Sequence, residues 1–139
     1  MFEKILVPLD GSENSMQALE NAIQIAKKFN GKITLIHVYS ISACRHAHLY
    51  FDKCVQELRK AGTDILVNGE KRVKTEGVQV QTLLREGHTV EEILKAARKG
   101  KFGLIVMGAR GISKIEEILM GSISEGVTRH APCPVFVVK

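Results

Sequence analysis

The chain contains no tryptophan, only three prolines and three cysteines, and only seven Phe and Tyr together (five and two) in 139 residues. So few aromatics leave little with which to stack on exposed bases. The basic residues are spread along the chain rather than massed in one block, so nucleic-acid binding is a weak reading of the net charge of +5. No apolar run approaches the ~20 residues that a bilayer-spanning helix requires. Ile5 to Val7 is closed by Pro8 and Asp10, and no segment reads as a signal peptide or a membrane span. An odd cysteine count without an export signal points to reduced thiols in a cytoplasmic protein rather than to a disulfide framework. Neither low complexity nor a solenoid repeat is present. What remains, with 45% hydrophobic and 25% charged residues, is the composition of an ordinary globular domain spanning residues 1–139.

The order of patterns along that domain is strand, helix, strand, helix. Residues 3–9 form a short continuous apolar run, as expected of a strand covered on both faces. A helix follows over Glu13–Phe29, with Ser12 as its N-cap and Gly31 as its stop. The second strand is expected at Lys32–Tyr39. A polar stretch, Ser40 to Asp52, then leads into a long helix ending near Gly77, with Phe51, Val55, Leu58 and Ile65 as its inner stripe. Gly62 and Gly69 each cost about 1 kcal/mol relative to Ala inside a helix and are the weak points of that helix. Val78–Arg85 is the third strand and Thr89 to Glu92 a capping box opening the third helix. Lys101–Met107 is the fourth strand. Two further capping boxes, Ser113 to Glu116 and Ser122 to Glu125, open short helices before a last strand at Pro134–Val138. Five strands separated by helices predict a doubly wound, five-stranded parallel sheet with helices on both faces, a Rossmann-like α/β domain.

In such sheets ligands bind beyond the carboxyl ends of the strands, where the winding reverses. Polar, glycine-rich segments stand there: Pro8-Leu-Asp10-Gly11-Ser12 after strand one, and Met107-Gly108-Ala-Arg110-Gly111 after strand four. Gly121-Ser122 opens the last helix. Glycines allow close backbone approach, and a helix N-terminus attracts anions, so the set suits a polyphosphate. Asp10 is placed to accept from ribose hydroxyls or to help hold Mg²⁺ through water. Taken singly, Gly108 and Gly111 are also ordinary turn residues, Ser122 an ordinary cap and Asp10 an ordinary turn aspartate.

Gly108-Ala-Arg-Gly111, nine residues, then Gly121-Ser122 is similar to the G-x2-G-x9-G-[ST] pattern of the ATP-binding branch of the universal stress protein family. The resemblance extends to Ile5-Leu-Val-Pro-Leu-Asp-Gly-Ser12, to Leu35-Ile-His-Val38, to Gly87 and to Ala131-Pro-Cys-Pro-Val135. It implies ATP or AMP as bound ligand. Asp10 would lie at the ribose, the Val38 backbone at the adenine edge, and Pro8 beside the base. Met107, Gly108, Arg110, Gly111, Gly121, Ser122, Ile123 and Ser124 would surround the sugar and phosphates. It further implies a cytoplasmic stress-response protein that forms homodimers through the last strand, residues 134–138. No base, nucleophile or paired acid stands beside the glycine loop, so no catalytic residue is assigned. A slow Mg²⁺-dependent ATPase or phosphotransferase and a receiver-like interaction domain are the alternatives. The first lacks a G-x-x-x-x-G-K-[ST] loop and the second lacks an acidic pocket.

Three further groups are read more plainly. Cys44, His46, His48 and Cys54 lack the paired spacings of a zinc site and are expected to be solvated loop residues. His37 is expected to be a satisfied core histidine, and Cys133 a buried structural cysteine.

Overall fold

The first strand is buried on both faces because both faces carry helices: Ile5, Leu6 and Val7 are all 0% exposed. In the computed structural model, which describes residues 1–111 and 120–139, the elements follow in the order β1 (Lys4–Pro8), α1 (Glu13–Phe29), β2 (Lys32–Tyr39), α2 (Phe51–Thr75), β3 (Val80–Glu86), α3 (Thr89–Lys99), β4 (Leu104–Gly108), α4 (Ser122–His130) and β5 (Val135–Val138). Two single 3₁₀ turns, Ile41–Cys44 and His48–Tyr50, fill the gap between β2 and α2. The expected helix at Ser113–Glu116 lies outside the described residues. All five strands are parallel, in the order β3-β2-β1-β4-β5. Leu19, Ile23, Leu66 and Val73 of α1 and α2 cover one face, and Ile93, Leu94 and Val127 of α3 and α4 cover the other. Among the described residues no helix is long and apolar enough to cross a membrane.

Local chemistry explains both the agreements and the displacements. Ser12 caps α1 as expected, its Oγ accepting from the Ser15 N–H at 3.1 Å. The helix ends on Asn30, whose left-handed φ of 52° makes it the cap in place of Gly31. β3 starts two residues later than expected because the Val78 N–H still returns to the Val73 carbonyl of α2 at 3.4 Å. β4 starts three residues later for the same kind of reason, since the Phe102 N–H returns to Ala97 of α3 at 3.1 Å. The two capping boxes also fall differently. Thr89 and Ser122 are the first residues of their helices, His88 and Gly121 stand at the N-caps, and neither helix has a side-chain cap.

α2 is the long helix expected, and its inner stripe, on which Ile65 packs against the core, continues further along the chain than expected. It runs unbroken through both glycines, and its buried residues are Gly62, Leu66, Gly69 and Val73, while Phe51 is 37% exposed. The helix backbone lies so close to the sheet that a Cβ at Gly69 would stand 2.6 Å from Leu9 Cδ1 and 3.0 Å from Leu35 Cδ1. At Gly62 it would stand 2.7 Å from His37 Cδ2. Glycine is therefore the contact surface. Gly69→Ala is expected to lose about 1–3 kcal/mol to overpacking, more than the ~1 kcal/mol it gains in helix propensity. Urea denaturation checks this, and a more stable alanine variant would contradict the close approach.

The expectation of reduced cysteines is corrected as well. Cys44, 1% exposed at the end of the first 3₁₀ turn, is joined by a disulfide to Cys54 in the first turn of α2, with Cα atoms 5.8 Å apart. A cysteine count does not reveal that this turn folds the chain back onto the helix start. Nor are these two thiols then available as metal ligands.

Candidate functional site

The chain leaves β1 toward β2 on one side and leaves β4 toward β5 on the other, so a crevice opens beyond the carboxyl ends of these two neighbours. A cavity of about 610 Å³ occupies it, within the ordinary range for small-ligand sites. Most of its walls come from four places in the sequence. β1 and its exit supply Pro8, Leu9 and Asp10; β2 supplies Ile36, His37 and Val38; β4 and its exit supply Met107 through Gly111; the start of α4 supplies Gly121 through Ser124. All eleven residues picked out from the sequence lie on this one cavity.

The lining is of two chemical kinds. Pro8, Ile36, Val38 and Met107, with Ile93 from α3, supply apolar surface of the sort that takes a flat ring. Asp10, Arg110 and the two glycine segments supply the polar surface. Asp10 divides its carboxylate between two tasks. Oδ1 accepts the Ser12 N–H at 2.9 Å, which is the turn-aspartate role, while Oδ2 lies 3.0 Å from where a Cβ on Gly111 would stand. Any side chain at 111 would press on that carboxylate.

The glycine-loop amides are more committed than the sequence suggests. The Ala109 N–H donates to Val138 at 2.7 Å, the Gly121 N–H to Ala109 at 2.6 Å, and the Arg110 N–H to Asn14 Oδ1 at 2.8 Å. The Ser124 hydroxyl, 2% exposed, donates to the Ala109 carbonyl at 2.7 Å, so it is a structural tie. The amides with no partner inside their own helix are those of the first turn of α4, Ser122, Ile123 and Ser124. The two glycine segments are thus bonded directly to each other, with a helix N-terminus at the junction.

Several lining or supporting residues went unnoticed in the sequence as parts of this site. His37 is satisfied, Nδ1 lying 2.7 Å from the Leu9 carbonyl, yet the residue also lines the cavity. Thr89 and Ile93 reach it from the first two turns of α3. Asn14 lies behind the loop, 8% exposed. An asparagine inside the first turn of an amphipathic helix, on the face that should be apolar, was the available signal. Cys133 is half-buried rather than fully buried, and burial pushes its thiol pKa up.

A doubly wound parallel sheet with a glycine-rich cradle at its switch point defines a broad class of small-ligand-binding α/β proteins. Within that class, the sequence model of the universal stress protein family matches residues 1–139. The universal stress protein YxiE of Bacillus subtilis is 34% identical over 148 residues, covering 100% of both chains. The solved structure of hypothetical protein MJ0577 superposes with a TM-score of 0.90 at 29% identity, covering 100% of this chain and 96% of that one. A universal stress protein in complex with cAMP superposes at 0.75 with 26% identity, covering 99% and 97%. The chain belongs to the universal stress protein family.

Proposed function

We propose that this protein binds an adenine nucleotide, ATP or AMP, in the crevice between β1 and β4, and acts as a regulatory stress-response protein rather than turning the nucleotide over. The observation that carries this reading is that one cavity is lined by apolar residues, by Asp10 and by a glycine-rich helix start together. Adenine would lie beside Val38 and Pro8. Ribose would lie at the Asp10 carboxylate, and the phosphates at Arg110, Gly111 and the first turn of α4, where amide dipoles offset negative charge. Mg²⁺, where bound, would be held by phosphate oxygens and reached by Asp10 through water. The relative that binds cAMP supports the same class of ligand.

The cavity holds one carboxylate and no activated nucleophile among its described residues, which favours holding over hydrolysis. A cytoplasmic location, where adenine nucleotides are held, belongs to the same reading and rests on the ligand alone, since the Cys44–Cys54 bond removes the argument from reduced thiols. So does a homodimer formed through β5. That strand is the edge of the sheet next to β4, and Phe136 on it is 44% exposed, a surface a second copy would cover. Phe136→Lys is expected to shift sedimentation from dimer to monomer; an unchanged dimer would place the interface elsewhere.

Thermal and chemical unfolding with added ligand tests the binding itself. ATP or AMP at about one hundred times its Kd is expected to raise unfolding free energy by about 2.7 kcal/mol. No shift with either, at millimolar ligand, would contradict the proposal. Phosphate release with and without Mg²⁺ separates a binder from a slow ATPase.

A further inference from the structure

Asn14 is the second residue of α1, where asparagine has no propensity advantage, and it is nearly buried. Its carboxamide is fully used. Oδ1 accepts the Arg110 N–H at 2.8 Å, while Nδ2 donates to the Val138 carbonyl at 3.0 Å and to Gln17 Oε1 at 3.3 Å. The amide orientation is fixed by this chemistry, because the flipped group would set N–H against N–H and oxygen against oxygen. Gly108 exists to make room for it: a Cβ there would stand 2.6 Å from Asn14 Oδ1 and 2.9 Å from its Cγ. The first glycine of the spaced pattern is thus accounted for by a side chain beneath the loop.

The consequence reaches the cavity. Ala109 and Arg110 are gripped from three sides, by Asn14 of α1, by the Val138 carbonyl of β5, and by the Gly121 N–H and Ser124 hydroxyl of α4. Of these grips only Asn14 joins α1 to the loop and to the end of the edge strand together. We propose that Asn14 is the positioning residue for the polar lining of the site, locking the Ala109–Gly111 segment where it meets phosphate. This rests on the nucleotide reading above. It predicts a selective defect: losing the carboxamide leaves the Arg110 N–H without its partner and lets the loop drift, while the apolar surface for the base is untouched.

Calorimetric titration with ATP and, separately, with adenosine is the test. Asn14→Leu, branched at the same atom but without hydrogen-bonding atoms, should weaken ATP binding about ten- to hundredfold and leave adenosine binding within about twofold. Gly108→Ala, which keeps the carboxamide but takes its space, should show the same split; Gln17→Ala should behave as wild type. If Asn14→Leu does not fold, Asn14→Ser, whose short hydroxyl reaches neither partner, gives the same ratio. Equal losses for ATP and adenosine would mean a merely structural role, and no loss for either would mean no role; both overturn the proposal. Amide exchange separates its failure from that of the nucleotide reading. A wild-type protein that binds neither ligand defeats the nucleotide reading, and an Arg110 amide exchanging no faster in Asn14→Ser than in wild type defeats the lock itself.

Discussion

Replacing Gly121 by valine is expected to lower adenine-nucleotide affinity by about a hundredfold or more, equivalent to about 2.7 kcal/mol, while the chain keeps its fold. The backbone at 121 has φ −76° and ψ 167°, an extended conformation that valine adopts without strain. Space is what valine lacks. Its Cβ would stand 3.2 Å from the Ala109 carbonyl oxygen and 3.8 Å from the Arg110 Cα, so its branches must enter the cavity or push the two glycine segments apart. Either outcome removes the close approach of phosphate to the start of α4. The N-cap itself loses only about 1 kcal/mol, since glycine there makes no side-chain bond. Calorimetric titration with ATP checks the affinity and circular dichroism the fold. A valine variant that binds like wild type would place the phosphates elsewhere.

Reduction of the Cys44–Cys54 disulfide, or Cys54→Ser, is expected to cost about 3 kcal/mol of unfolding free energy, chiefly because the bond restricts the unfolded chain. The bond fastens the exit of β2, whose Val38 lines the cavity, to the first turn of α2. Denatured, unreduced protein should titrate one thiol of three, that of Cys133. In the folded protein burial raises the Cys133 pKa, so its thiolate fraction at neutral pH is small and its alkylation should accelerate only as pH rises past the ordinary thiol range. Three titratable thiols without reductant, and an unfolding curve indifferent to reductant, would contradict the bond.

The parts of the fold that were legible are those in which local chemistry and tertiary structure agree. The apolar run of β1 is legible because helices cover both its faces, and α1 is bounded as expected because Ser12 satisfies a backbone amide that nothing else would. Lys32–Tyr39 coincides with β2 to the residue. The lining of the candidate cavity was legible too: glycines and polar residues cluster after two strands, and both clusters line it.

What was not legible is decided across the sequence rather than along it. Gly62 and Gly69 read as weak points of a helix, yet they are where α2 touches His37, Leu9 and Leu35. Thr89 and Ser122 read as caps, but each helix begins one residue earlier on a backbone that needs no side chain. Asn14 stands out only as a polar residue on the apolar face of α1, which does not say what it bonds. Its partners, Arg110 and Val138, are 96 and 124 residues away, and no spacing rule connects them. The pairing of Cys44 with Cys54 likewise depends on a 3₁₀ turn that periodicity does not reveal.

The most direct measurement is to denature freshly purified protein and identify what it releases by mass spectrometry, with calorimetric titration of the refolded or stripped protein alongside. The account predicts an adenine nucleotide in the released fraction and saturable rebinding of it. A protein that releases none, and binds neither ATP nor AMP at millimolar concentration, would contradict it.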